Sequence, residues 1–310
     1  EDIIQNRSGA PSTGVQSTPY NLIDLEVKGV DASLDIDAFT AQHFTWQTGL
    51  RFGTFRSKVL NVADDKDFVN GVFVVKKGES VGNFYAVTAL TSVDQTRPDK
   101  TRYIDPAQAG DYEIVNGMVV DKTTKRVVLT DPNDQSLVGN AYPKFTMSWN
   151  NNLSYRGINL SFQWDWSHGN SVYNLTRQWM YRDRLHKDFD VPVTIGGQTG
   201  AFVNYYNSLY NSVQRTGYFV EDASFIRLRD LTLSYQLNNL LRLKWVNNVT
   251  LMVSGRNLLT FTDYSGLDPE ATTAQDSQGN ATVGVGAFLG TDYFAIPNLR
   301  SYQVGINIQF

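Results

Sequence analysis

Residues 158–166, Ile-Asn-Leu-Ser-Phe-Gln-Trp-Asp-Trp, alternate apolar and polar at every position. Residues 302–310, Tyr-Gln-Val-Gly-Ile-Asn-Ile-Gln-Phe, do the same with Gly305 counted as non-apolar. A period of two sends successive side chains to opposite faces of an extended strand, so these runs commit the chain to β-structure with one apolar face. Just upstream, Phe145, Met147, Trp149, Leu153 and Tyr155 share a face, with Asn151 the exception. Arg156 and Gly157 then join the two runs as a tight hairpin turn.

The same pattern recurs. Ile23, Leu25 and Val27 alternate in one phase, and Val30, Ala32, Leu34 and Ile36 in the other, which places a β-bulge at Gly29. Phe44, Trp46, Leu50 and Phe52 form a further row, as do Leu231, Leu233, Tyr235 and Leu237, and Val249, Leu251 and Val253. Seven long strands are expected, at 20–39, 43–60, 144–155, 158–168, 224–237, 247–261 and 299–310. The fold class is all-β.

The polar face decides between two architectures. A soluble β-sandwich exposes a face rich in charge, whereas here it is mostly Asn, Gln, Ser, Thr and Gly. The apolar face carries Trp149, Tyr155, Trp164, Trp166 and Tyr302 near strand ends. Lipid outside, a hydrated lumen inside and aromatic girdles at both interfaces would produce this distribution in a transmembrane antiparallel β-barrel. The competing reading is a secreted β-sandwich that binds or processes carbohydrate.

Connection lengths favour the barrel. The turns after residues 39 and 155 are short, and that at 238–246 is moderate, while the alternate connections at 61–143, 169–223 and 262–298 are long. Outer-membrane barrels have short periplasmic turns and long extracellular loops. By that parity the C-terminus is periplasmic and residues 1–19 fall in an extracellular loop. Seven strands cannot close such a barrel, so the chain is read as the C-terminal part of a larger one. Within the long connections, Asn116 and Gly117 mark a small hairpin, 131–134 (Asp-Pro-Asn-Asp) a turn, and Val172, Leu175, Trp179 and Met180 a helical stretch in 171–187.

Composition removes other classes. A net charge of -4, with 27 basic against 31 acidic residues, argues against nucleic-acid binding. With 0 cysteines, disulfide scaffolds, thiol catalysis and cysteine zinc sites are excluded. No apolar run approaches the ~18 residues of a membrane helix. His43, His168 and His186 share no metal-ligand spacing. Residues 64–67 (Asp-Asp-Lys-Asp) read as a solvated turn, with a calcium site the alternative, and Asp263, Asp268 and Glu270 as turn and loop packing in preference to ion binding. No nucleophile elbow, phosphate loop or dinucleotide fingerprint occurs. The residues point to no enzyme, metal site or cofactor.

Three blocks resemble the SusC/RagA-like family of TonB-dependent outer-membrane transporters: 222–235 (Asp-Ala-Ser-Phe-Ile-Arg-Leu-Arg-Asp-Leu-Thr-Leu-Ser-Tyr), 255–270 (Gly-Arg-Asn-Leu-Leu-Thr-Phe-Thr-Asp-Tyr-Ser-Gly-Leu-Asp-Pro-Glu) and the closing run 297–310. Residues 28–30, 142–144 and 169–174 fit the same pattern. The resemblance implies a plugged barrel of 22 strands in the outer membrane of a Bacteroidota-like bacterium. It also implies import of oligosaccharides or oligopeptides, energy through the TonB complex, and a SusD-like surface lipoprotein as partner. This stretch carries no plug domain and no first half of the barrel, so it would supply wall and external loops beside outer-membrane lipid. Candidate contacts for substrate or partner are Trp179, Tyr181, Tyr205, Tyr206 and Tyr210, since aromatic faces stack on sugars or pack on peptide side chains. Phe310, an aromatic ending an alternating strand, resembles the signal read by the barrel-assembly machinery.

Overall fold

A computed structural model describes residues 2–8, 17–63, 66–70, 72–210, 216–237, 248–272, 274–275, 281–282 and 290–309. Its spine is one antiparallel sheet of eight strands in simple chain order. These are β1 (Asp2–Ser8), β2 (Ser17–Thr40), β3 (Phe44–Val62), β4 (Phe145–Tyr155), β5 (Ile158–His168), β6 (Phe225–Gln236), β7 (Asn248–Thr262) and β8 (Ser301–Gln309). All seven expected strands are present. The eighth is β1, which pairs along Ser17–Asp24 of a β2 longer than expected, so 1–19 is not simply a loop. Phe310 and the turn at 238–247 lie outside the described residues, as do Asp64 and Asp65 of the candidate turn at 64–67.

The hairpin between β4 and β5 turns on Arg156 and Gly157, with φ of 47° and 89°. A type I′ turn needs positive φ at both positions, and its twist matches that of the flanking strands. Glycine carries the larger value at no steric cost.

Register assigns every side chain to a face. Met147 lies opposite Phe52 and Trp166, Leu160 opposite Leu153 and Leu233, and Val253 opposite Leu233 and Val304. This apolar face is the exposed one: Val304 is 78% exposed, Leu34 55% and Leu233 49%. No described element covers it. A sandwich would bury that face against a second sheet, so the soluble reading fails and the sheet is a section of transmembrane barrel wall. On β2 the outward apolar row runs from Val30 to Phe39. About ten residues at ~3.3 Å, tilted by ~40°, span roughly 25 Å, the height of a lipid-facing band. Above it the outward positions become charged, with Lys28 opposite Arg56 and Glu26 opposite Lys58.

The phase change at Gly29 has a different cause from the one expected. No bulge occurs there, and the register shifts fall at Asp24/Leu25 and Asp37/Phe39. Ile23, Leu25 and Val27 continue on the inward face, along with Asp31 and Asp35. What changes is the neighbour. Beyond Gly29 the β2–β3 ribbon leaves the lipid band and its inward face packs on the long connections, where Ile23, Val59 and Val62 are buried.

Those connections hold the apolar core. Phe84, Tyr173, Tyr181, Leu209 and Phe219 are fully buried in one cluster drawn from the first two connections. The expected small hairpin is present, Tyr112–Val115 pairing with Met118–Asp121. So is the turn at 131–134, closed by Asp134 N donating to Asp131 O at 2.9 Å. The helical stretch becomes α1 (Leu175–Arg182), capped by the Asn174 side chain accepting from Arg177 N at 2.8 Å. A second helix, α2 (Val203–Leu209), buries Tyr205, Tyr206 and Leu209.

Candidate functional site

The inward face of the sheet carries more charge than the mostly Asn, Gln, Ser, Thr and Gly face read from the sequence, because its Asp and Arg side chains pair across strands. Asp31, Asp35 and Asp37 line β2, and Arg51 of β3 reaches Asp35 Oδ2 from Nη2 at 2.9 Å. A Cβ at Gly49 would lie 2.6 Å from Asp35 Oδ1, so glycine makes room for this carboxylate to lie across β3. Asn150 and Gln163 form an amide strip on β4 and β5, opposite each other. Beyond it β6 presents Arg227, Arg229 and Asp230, aided by a bulge in which Asn257 and Leu258 of β7 face the single residue Arg229. The bulge explains why Leu228 and Leu231, three apart, both face outward: Arg229 and Asp230 take consecutive inward positions.

Two arginines of β6 grip the connection that follows β7. Arg227 donates from Nη2 to Asp268 Oδ1 at 2.6 Å, from Nη1 to Glu270 Oε2 at 2.6 Å and from Nε to Thr260 Oγ1 at 3.0 Å. Arg229 donates from Nη2 to Glu270 Oε1 at 2.6 Å and from Nε to Asp165 Oδ2 at 2.7 Å. The Arg227 and Asp268 side chains are each 3% exposed. Burial alone would raise the Asp268 carboxyl, but the Arg227 hydrogen bond and the backbone amides of Glu270 and Asn298 hold it below the usual carboxylate range. The sequence reading of Asp268 and Glu270 as loop packing is thus right in kind, with the partner being the wall.

Between this connection and the wall lies a cavity of about 740 Å³. Asp31, Arg51, Ser148, Asp165, Arg229 and Glu270 contribute to it from the wall and the clasp, and Tyr142 and Asn170 from above. A second hollow of about 660 Å³ runs on along the same face past Asp37, Asn152 and Arg256. Charged and amide groups on a hydrated face can hold hydrophilic solutes by hydrogen bonds. No group of three or more His, Cys, Asp or Glu able to hold a metal occurs among the described residues.

Over the cavity the second and third connections are knitted by a polar hub. Arg177 of α1 donates to Glu221 Oε1 at 3.0 Å, Asp188 Oδ2 at 3.1 Å and Tyr218 OH at 3.1 Å. Glu221 also accepts from Ser265 N at 2.9 Å, and Asp292 from Tyr264 OH at 2.7 Å. Burial would raise Asp188, yet hydrogen bonds from Tyr181 and Arg177 keep it low. Burial lowers His186 against the pull of the Asp188 charge. Burial raises the Tyr181 phenol, and its hydrogen bond to Asp188 raises it further.

The structure brings the five aromatic candidates into one region. Tyr181, Tyr205 and Tyr206 are buried, the Tyr205 and Tyr206 rings meeting edge to face at 4.9 Å. Burial pushes the Tyr206 phenol up to about 12. Trp179 and Tyr210 pack on the cluster and keep part of their surface. Arg182 stacks on the Trp179 ring at 3.7 Å. Sequence reasoning missed Arg177, Arg227 and Arg229. The available signal was two arginines in alternate positions of a membrane-spanning strand, where an ionisable side chain is costly without a partner.

No protein-family model matches the chain. It is 29% identical to "TonB-dependent receptor P3" of Formosa agariphila, covering 100% of this chain and 31% of that protein. It is 20% identical to "TonB-dependent receptor SusC" of Bacteroides thetaiotaomicron, over 94% of this chain and 27% of that one. Its fold matches the RagAB peptide transporter with a TM-score of 0.70 at 18% identity, covering 100% of this chain and 32% of the other. A RagAB structure in a "closed-closed" state matches at 0.68. The chain spans about a third of the length of the curated relatives it matches. The SusC/RagA-like resemblance read from the sequence motifs is borne out, as is the barrel fold.

Proposed function

We propose that this chain, similar along its whole length to TonB-dependent receptors of the SusC/RagA kind, is wall and loops of an outer-membrane nutrient importer. The observation that carries this is the inverted distribution of side chains: an exposed apolar outer face and a charged inner one bordering hollows of about 740 and 660 Å³. Such a wall supports passage of hydrophilic solutes rather than chemistry on them. The cargo class in this reading is oligosaccharides or oligopeptides, taken up with TonB-derived energy beside a SusD-like lipoprotein. The three long connections face outward from the cell. Trp179 and Tyr210, which keep exposed surface, touch substrate or partner, and Tyr181, Tyr205 and Tyr206 brace them from beneath.

The test uses the whole receptor in its native membrane. Deleting its gene should abolish uptake of one class among labelled maltodextrins and labelled tryptic peptides. Collapsing the proton gradient should stop the same uptake in the intact strain. Uptake of both classes that survives deletion would sink the importer reading.

A further inference from the structure

We propose that Arg227, Arg229, Asp268 and Glu270 are positioning residues that clasp the neck of the third long connection to the barrel wall and so set the shape of the cavity. This rests on the importer reading only for its effect on uptake.

Among its described residues, the connection after β7 contributes little large apolar surface to the core clusters. Tyr264 packs with Val172 and Ala223, and Tyr293 lies at the edge of the main cluster. Its neck is organised by one carboxylate. Asp268 accepts from Glu270 N at 3.0 Å on one side and from Asn298 N at 2.8 Å on the other, thirty residues along the chain. The point of departure and the point of return are therefore tied to each other. Asn257 Nδ2 donates to Leu299 O at 3.0 Å and fastens the returning strand to the bulge. Pro269, with its fixed φ, stands between the two acidic residues.

Two arginines then bind this closed neck to the wall in two layers. The Arg227–Asp268 layer is buried, each side chain 3% exposed. The Arg229–Glu270 layer is 23% and 28% exposed and borders the cavity, together with Pro269 and Thr272. A ring of two guanidinium groups and three carboxylates, Asp165 included, satisfies its members through bidentate and bridging hydrogen bonds. Removing one member leaves a buried charge unmatched. The wall of the cavity formed by Pro269, Glu270 and Thr272 thus takes its place from charge pairing around the buried Asp268 and Pro269.

The experiment uses the full-length receptor in a cysteine-free background. Spin labels at Ser33→Cys and Thr272→Cys, both lining the cavity, report the distance across it. One narrow distance distribution is expected for the parent. Asp268→Asn and Arg227→Met should each broaden it or move it outward. The pair Arg227→Met/Asp268→Leu replaces charge by apolar packing and should regain a folded, heat-modifiable barrel. It should not regain the narrow distance, because a leucine side chain in place of Asp268 accepts no amide hydrogen bonds. If all variants that fold keep the parental distribution, the clasp proposal is overturned. In a parallel arm, the half-saturating concentration for the probe the parent imports, maltodextrins or tryptic casein peptides, should rise several-fold in Asp268→Asn at unchanged surface level. A parent that imports neither probe counts against the importer reading and leaves the distance arm to decide the clasp.

Discussion

Asn151 sits at the middle of the outward row of β4, between Trp149 and Leu153, yet it is only 1% exposed. Two indoles account for this. Trp46 Nε1 donates to Asn151 Oδ1 at 3.0 Å, and Trp149 Nε1 donates to Thr48 Oγ1 at 2.9 Å, Thr48 lying directly opposite Asn151. The Asn151 carbonyl and the Thr48 hydroxyl are thereby engaged from within the wall and capped by apolar ring surface. The asparagine amide nitrogen has no hydrogen-bond partner among the described residues. Trp46→Phe should therefore orphan a buried acceptor and cost about 1–3 kcal/mol in urea unfolding of the folded receptor in detergent. Trp46→Phe/Asn151→Leu should recover most of that loss, since both ends of the bond are then gone. A double variant no more stable than the single one would show that the indole acts by packing alone. Asn151 was visible in the sequence as a break in the pattern. Its partner Trp46 was not, because they are 105 residues apart.

At the scale of elements, alternation makes a sharp contrast between neighbours. Val304 of β8 faces outward opposite Val253, and Gln303 faces inward opposite Ser254. Val304→Arg should cost roughly 2–4 kcal/mol near the middle of the bilayer and lower the fraction of heat-modifiable receptor, whereas Gln303→Arg should fold as the parent does. Equal losses at both positions would overturn the assignment of faces. The long connections answer to pH instead. His186 titrates below its ordinary 6.5, and Asp188 and Asp268 below their ordinary 3.8. All three are depressed, so the unfolded connections bind more protons and stability falls as the pH is lowered. The histidine contribution declines from about 6.5 downward, and the two carboxylate contributions are lost only below 3.8. Amide exchange in α1 and the 187–190 turn, corrected for the intrinsic pH effect, should show opening that grows in two stages on acidification. A single stage confined to the carboxylate range would remove His186 from this role. The small hairpin at Asn116 and Gly117 was legible because its signal is local. Its docking was not, since Asn116 Nδ2 reaches Tyr205 OH, 89 residues away.

At the scale of the whole molecule, β8 has a strand on one side only among the described residues. An open edge of unpaired backbone groups is not tolerated in hydrocarbon, so the wall needs further strands to close. Expressed alone in an outer membrane, the chain should give no heat-modifiable band, and co-expression with the remainder of a full-length relative's barrel should produce one. A compact, detergent-free monomer of the chain alone would refute the barrel reading. The sequence by itself determined seven of the eight sheet strands and the faces of their alternating rows, because lipid and water each select residue types one position at a time. It also marked Asp268 and Glu270 as belonging to a motif. Only the tertiary structure decided that Arg227 and Arg229 hold them, that Gly29 marks a change of neighbour rather than a bulge, and that three of the five candidate tyrosine and tryptophan side chains are buried. Those outcomes depend on which distant segments meet over the sheet, and a pattern of period two carries no information about contacts 41 to 44 residues away in sequence, such as Arg227 with Asp268 or Arg177 with Glu221.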